Sequence, residues 1–179
     1  MDKRIKDIID HFKFEILPVE GTFFKQTYRS SILNEEGTPL GTAMIGMYCN
    51  SPLSFSSFHK LTQDETWHFY FGDPLTLYLL HENGTFEEIT MGSNFEKGEL
   101  IQFTVPAGVW QAGCTKEGRQ FSVFGCTLSP GFTSSCFEAA SATYLIEKFP
   151  NSDYSSDALI RLVSLKNILS RHELYIAIY

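Results

Sequence analysis

The chain is short of positive charge. Fourteen Lys and Arg stand against 21 Asp and Glu, a formal net charge of −7. Nucleic-acid phosphates are held by clustered Lys and Arg, so no nucleic-acid partner is expected, and an anionic membrane surface is disfavoured for the same reason. Long apolar runs are also missing. No uninterrupted stretch approaches the ~20 residues of a membrane span, so no membrane partner is expected either. Residues 1–10 interleave charge with isoleucine, whereas a signal peptide needs an unbroken apolar core; a cytoplasmic location is the expectation. The four cysteines are Cys49, Cys114, Cys126 and Cys136. None forms a Cys-x-x-Cys pair, which argues against a structural zinc site and leaves buried, inert thiols as the reading. Repeats and low-complexity tracts are absent.

What is abundant is aromatic. Phe, Trp and Tyr make up 15% of 179 residues, and Phe alone occurs 16 times. Large rings suit a packed β interior and suit a pocket wall equally well. The length fits one domain. Ile5, Ile8, Ile9 and Phe12 fall at i, i+3, i+4 and i+7, one stripe of a short N-terminal helix. Residues 23–31 are β-prone, and 34–39 read as a loop. From 41 to 128 short strands follow one another: 42–48, 54–61, 65–71, 75–81, 86–91, 100–105, 109–114 and 120–128. Asn83-Gly84 marks a hairpin, because both positions tolerate positive φ. Closely spaced strands broken by Gly, Pro and Asp indicate an all-β sandwich or barrel. Residues 137–149 read as a helix stopped by Pro150. The expected organisation is a domain over 1–150 and an extension over 151–179. The extension carries a second helical pattern at Leu159, Leu162, Val163 and Leu169 and an apolar end at 172–179.

Two stretches carry the chemistry. In 57–72, His59 and Leu61 sit two apart on a predicted strand and share a face. A turn at 62–64 brings the chain back so that Glu65 can oppose them. Parity puts Trp67 and Phe69 with Glu65, and Thr66, His68 and Tyr70 on the other side; His68 is read as a surface, inter-sheet or interface histidine unless a bulge reverses it. In 98–111, Pro106-Ala107-Gly108 makes a tight corner that aims Gln111 inward from another strand.

These stretches resemble the two half-motifs of the cupins. The first is usually Gly-x5-His-x-His-x3/4-Glu-x6-Gly. His59, Glu65 and Gly72 match it, and Leu61 stands in the second His place. The second is usually Gly-x5-Pro-x-Gly-x2-His-x3-Asn. Pro106 and Gly108 match it, and Gln111 stands in the His place. A cupin metal needs about three imidazoles and one carboxylate; only His59 and Glu65 are of those types, and Gln111 is a neutral oxygen ligand at best. No cofactor is therefore expected, with a divalent metal at His59, Glu65 and Gln111 as the weaker alternative.

Further runs are similar to one cupin group whose domain has no known function: Glu20-Gly21, Thr27-Tyr28-Arg29-Ser30, Phe58-His59-Lys60, Asp64 to His68, Gly72-Asp73-Pro74-Leu75, Val105 to Gln111 and Pro130-Gly131-Phe132. Gln26 and Lys25 depart from that group, which tends to carry Glu and Arg there. The resemblance implies an all-β double-stranded β-helix, a jelly-roll barrel, with flanking helices, and a homodimer without a settled activity. It also implies fold-level likeness to the sugar-nucleotide epimerases of rhamnose synthesis, where a pocket His removes a proton beside a carbonyl. Three functions remain open. The first is a cupin binding a small polar, sugar-like ligand through His59, Glu65, Gln111, Trp67 and Tyr28. The second is a metal-independent epimerase or isomerase with His59 as base and Glu65 as its catalytic partner. The third is a metal-dependent enzyme. Whether the second strand turns Tyr28 and Arg29 to the pocket or to a dimer surface is left to the structure. A partner-binding role for 157–179 stands beside these.

Overall fold

A computed structural model describes residues 1–17, 21–116 and 118–150. Helix α1 (Lys3–Phe12) starts on Asp2, whose side chain accepts from the Arg4 amide, and ends at Lys13 in the left-handed region, φ 54°. Twelve strands follow: β1 (Glu15–Ile16), β2 (Phe23–Arg29), β3 (Thr42–Asn50), β4 (Leu53–Ser54), β5 (Ser56–Leu61), β6 (Glu65–Gly72), β7 (Leu75–Leu80), β8 (Phe86–Met91), β9 (Gln102–Val105), β10 (Trp110–Thr115), β11 (Phe121–Leu128) and β12 (Phe137–Ala139). A short helix α2 (Ala142–Lys148) comes after them.

The strands form two sheets. One runs β1-β2-β3-β11-β6-β9 with β4 on β3; the other runs β12-β5-β10-β7-β8. Between them lies a core built on Tyr48, Trp67, Leu77, Leu79, Phe124 and Cys126. This is a double-stranded β-helix of the expected jelly-roll class.

Each helix covers the outer face of one sheet. Ile5 of α1 is buried with Met47, Cys49, Phe121 and Val123, and Ile8, Ile9 and Phe12 pack against this group. Leu145 of α2 is buried with Phe58, Leu80, Trp110 and Ala112. Strands buried on both faces read as nearly continuous apolar runs, which is why β7, β10 and β11 show little alternation.

The expected hairpin is present: Gly84 has φ 85° and Leu80 pairs with Phe86. The expected helix over 137–149 is corrected. Phe137, Glu138 and Ala139 instead extend along β5, opposite Leu61, Lys60 and His59. The free edge of β5 offers backbone partners there, and satisfying them outweighs weak helix propensity. The helix starts only at Ala142, where the Ser141 side chain accepts from the Tyr144 amide. The extension at 151–179, with its helical pattern at 159–169, its apolar end and its partner-binding reading, lies outside the described residues. Among the described residues no helix is long and apolar enough to cross a membrane.

Candidate functional site

A cavity of about 240 Å³ lies between the sheets. His59 and Leu61 reach it from β5, and Glu65 and Trp67 reach it from β6 in the opposite sheet. The turn between β5 and β6 therefore crosses the sandwich. That crossing is stitched to the second tight corner. The Ala107 amide donates to Asp64 Oδ1 at 2.8 Å, and the Gly108 amide donates to the Leu61 carbonyl at 2.8 Å. Gly108 sits at φ 81°, a conformation that a side chain at this corner would strain.

The His59 side chain is 4% exposed. Its Nδ1 lies 2.9 Å from the Ser57 carbonyl oxygen. A carbonyl only accepts, so Nδ1 carries a proton. The imidazole also stacks on Phe137, with centroids 5.4 Å apart and planes 23° apart. The strand conformation of 137–139 thus builds one wall of the site and fixes the plane of its imidazole.

Gln111 pairs with His59 across the β5–β10 register. Its side chain does not line the cavity; it stands behind Glu65. The Trp67 indole N–H donates to Gln111 Oε1 at 3.0 Å, and Gln111 Nε2 donates to Glu65 Oε2 at 2.8 Å. An indole N–H can only donate, so it sets the amide orientation and aims the NH₂ group at the carboxylate. All three residues are buried. The relay locks Glu65 and Trp67 in place, and both carry cavity wall.

Tyr28, expected at the ligand, is not brought to the cavity. Gln26 pairs with Met44, and Tyr28 pairs with Ala43, the next residue along β3, so Thr27 is an extra residue. This bulge reverses the parity of the strand. Phe24 and Gln26 line the cavity before it and Arg29 after it, while Tyr28 turns out to 55% exposure. Arg29 Nη1 donates to the Phe132 carbonyl at 3.0 Å. Sequence reasoning also missed Ser56, Thr22 and Thr42 on the polar side of the cavity, and Met44, Phe132 and Phe137 on the apolar side. The departures at Lys25 and Gln26 drew attention to this strand, but no sequence signal marks a bulge at Thr27.

His68 lies on the face of β6 away from Trp67. Gln102 Nε2 donates to its Nδ1 at 3.2 Å, so its Nε2 carries the proton that Thr127 Oγ1 accepts at 3.0 Å. Partial burial pushes its pKa down. Burial also pushes the Cys49 thiol up to about 12.

The donor set falls short of the metal that the cupin resemblance implies. Leu61 offers no donor. Gln111 already uses its oxygen on Trp67 and its NH₂ group on Glu65. One imidazole and one carboxylate remain, short of the three or four ligands that a transition-metal site needs. Among the described residues no group of three or more His, Cys, Asp or Glu could hold a metal ion. The residues present do not fit the group.

A family model described as Cupin superfamily (DUF985) matches residues 6–140. A second model, described as outer membrane lipoprotein, matches residues 130–179, less than half of the chain and mostly outside the described residues. Among solved structures, a protein from Shewanella oneidensis is 30% identical, with 88% of this chain and 95% of that chain covered and a TM-score of 0.79. A hypothetical protein from Leishmania major is 26% identical over 88% of this chain and 97% of that chain, with a TM-score of 0.76. Oxalate decarboxylase from Bacillus subtilis is 11% identical over 78% of this chain and 35% of its own, with a TM-score of 0.51, a likeness of fold alone. A search of curated proteins finds no match. With each of its two half-motifs bridging the two sheets of one barrel, the chain belongs to the cupin superfamily, in the family of unknown function designated DUF985.

Proposed function

We propose that this cupin binds a small polar organic molecule inside its barrel. The observation that carries the reading is the make-up of the cavity: His59 and Glu65 converge from opposite sheets on a space walled mostly by Trp67, Phe124, Phe137 and other apolar side chains, with Thr22, Gln26, Arg29, Thr42 and Ser56 as its remaining polar lining. A mostly apolar pocket with a few convergent polar groups is the usual form of a small-molecule site. At about 240 Å³ it lies just under the ~300–1,000 Å³ of drug-sized pockets, which points to a metabolite. Aromatic faces beside hydrogen-bonding groups suit a hydroxylated, sugar-like ligand, whose C–H faces stack on rings while its hydroxyls are paired.

A thermal-shift screen against a broad metabolite panel tests this. A ligand at a hundred times its Kd adds about 2.7 kcal/mol to stability, a rise of roughly 5–10 °C for a chain of this size. The hit should lose its effect in Glu65→Gln. A panel without any stabilising compound would remove the reading.

A second reading makes the same site a metal-independent epimerase or isomerase of a carbohydrate-like substrate. Its support is the setting of His59, whose Nδ1–H is engaged by the Ser57 carbonyl and whose ring is held by Phe137, so that Nε2 is the nitrogen a neutral ring would use as base. A base so placed takes a proton from the carbon beside a carbonyl, and Glu65 balances the imidazolium that forms. Solvent deuterium should then enter the substrate with wild-type protein and not with His59→Ala; exchange that survives the substitution removes it.

The homodimer finds support in exposed Ile32, Leu33 and Leu40 beside β2, whose partner β1 reaches only Phe23 and Phe24. Sedimentation of the full chain checks it; a monomer at high concentration counts against it. The cytoplasmic location stays a proposal, checked by fractionation.

A further inference from the structure

The cavity has two charged ends of opposite sign. Among the described residues that line it, Glu65 is the one carboxylate and Arg29 the one guanidinium, with His59 the one imidazole. They differ in setting. Glu65 is 7% exposed and held by the Gln111–Trp67 relay in the interior. Arg29 is exposed, at the end of β2. We propose that the ligand is a small carboxylate with a hydroxyl or amine at its far end, its carboxylate gripped by Arg29 at the mouth and its donor group set against Glu65 inside. The inference rests on the binding reading above and names the ligand class.

Three observations carry it. The first is the Thr27 bulge, without which strand parity would present Tyr28 to the cavity rather than Arg29. The second is the anchoring of the guanidinium. The Phe132 main chain is fixed at its amide by Thr42 Oγ1 at 2.8 Å, and its carbonyl receives Arg29 Nη1 at 3.0 Å. One of five N–H donors is used by that bond, the charge is retained, and the planar fork that remains matches a carboxylate. Among the described residues no carboxylate forms an ion pair with Arg29. The third is the order of the ends. A carboxylate placed inside would meet Glu65, a like charge in a poorly solvated space, whereas at the mouth it keeps part of its hydration. The interior end instead accepts hydrogen bonds, which asks for an O–H or N–H on the ligand.

The test uses matched pairs, each a hydroxy- or amino-carboxylate and its primary amide. Lactate with lactamide and 4-hydroxybenzoate with 4-hydroxybenzamide head a panel graded in size. Affinities are measured by titration calorimetry on full-length wild type, Arg29→Gln and Arg29→Lys. The expected result is an acid bound at least about tenfold tighter than its amide, the scale of a charge-assisted hydrogen bond. That preference should vanish in Arg29→Gln and fall part-way in Arg29→Lys, which keeps the charge without the fork. Amides that bind as well as acids, or a preference that survives Arg29→Gln, overturn the inference and leave the binding reading standing. No binding by any pair overturns it too, and the broad metabolite screen then decides the binding reading on its own.

Discussion

Replacing Gln111 by Met removes two hydrogen bonds and almost nothing else. Met has the length of Gln and no branch, so the packing term is small. The indole N–H of Trp67 and the Oε2 of Glu65 each lose a partner found at 3.0 and 2.8 Å. Both residues are buried, at 2% and 7% exposure. The indole N–H left without its acceptor costs about 1–3 kcal/mol, and the carboxylate loses one charge-assisted hydrogen bond, worth about 1.5–3 kcal/mol. The sum is about 3–5 kcal/mol. With urea m-values of about 1–3 kcal/mol per molar, the midpoint should fall by more than about 1 M, followed in parallel by tryptophan fluorescence and far-UV circular dichroism. A double-mutant cycle separates the two losses. In a Glu65→Leu background, Gln111→Met should cost at least about 1.5 kcal/mol less, since the bond to the carboxylate is already gone. A folded Gln111→Met protein that loses under 1 kcal/mol, or a cycle without coupling, would show that the relay does not hold the site.

Gly46→Ala would set a Cβ 2.6 Å from the Phe124 ring; overpacking should cost about 1–3 kcal/mol and shift the cavity wall that Phe124 forms, both read by urea unfolding and ligand titration. The Cys49 thiol, pushed up to about 12 by burial, should resist iodoacetamide at pH 8 in the native state and react once urea unfolds the chain. For His68 the folded pKa lies below the ordinary 6.5, so the unfolded chain binds the proton more readily. The stability contribution is complete above pH 6.5 and declines as pH drops below it. His68→Gln should flatten that limb of the pH–stability curve, and an NMR titration of the ring should place its midpoint under 6.5. Elemental analysis of protein purified without chelator should find no stoichiometric metal, because the donor set supplies one imidazole and one carboxylate; a stoichiometric metal would show that count to be wrong.

Much of the barrel was legible because its signals are local. The Asn83-Gly84 hairpin, the Pro106–Gly108 corner and the i, i+3, i+4, i+7 stripe of α1 each depend on a few adjacent residues. The segment 137–149 shows where locality ends. Its Ala, Glu and Leu content favours a helix, but Phe137–Ala139 completes the edge of a strand 76 to 80 residues earlier, and no window along the chain contains that demand.

The site divides along the same line. His59, Leu61, Glu65 and Trp67 could be placed by period-2 parity, because β5 and the start of β6 run regularly to the cavity. Gln111 is buried but stands behind Glu65 rather than on the cavity, and its task was hidden: an amide on the sheet opposite a carboxylate reads as a ligand group until the indole N–H is found on its oxygen. Tyr28 departs for another reason, and Arg29, left open between pocket and surface, is settled by the same one. Parity is reliable only while the register is unbroken, and one extra residue, Thr27, exchanges the two faces of everything after it. The exchange has a chemical consequence larger than its geometry. With Tyr28 inward the mouth would be aromatic and neutral. With Arg29 inward a guanidinium joins the Glu65 carboxylate on the cavity lining, exposed where Glu65 is buried, and the proposed carboxylate ligand rests on that one shift of register.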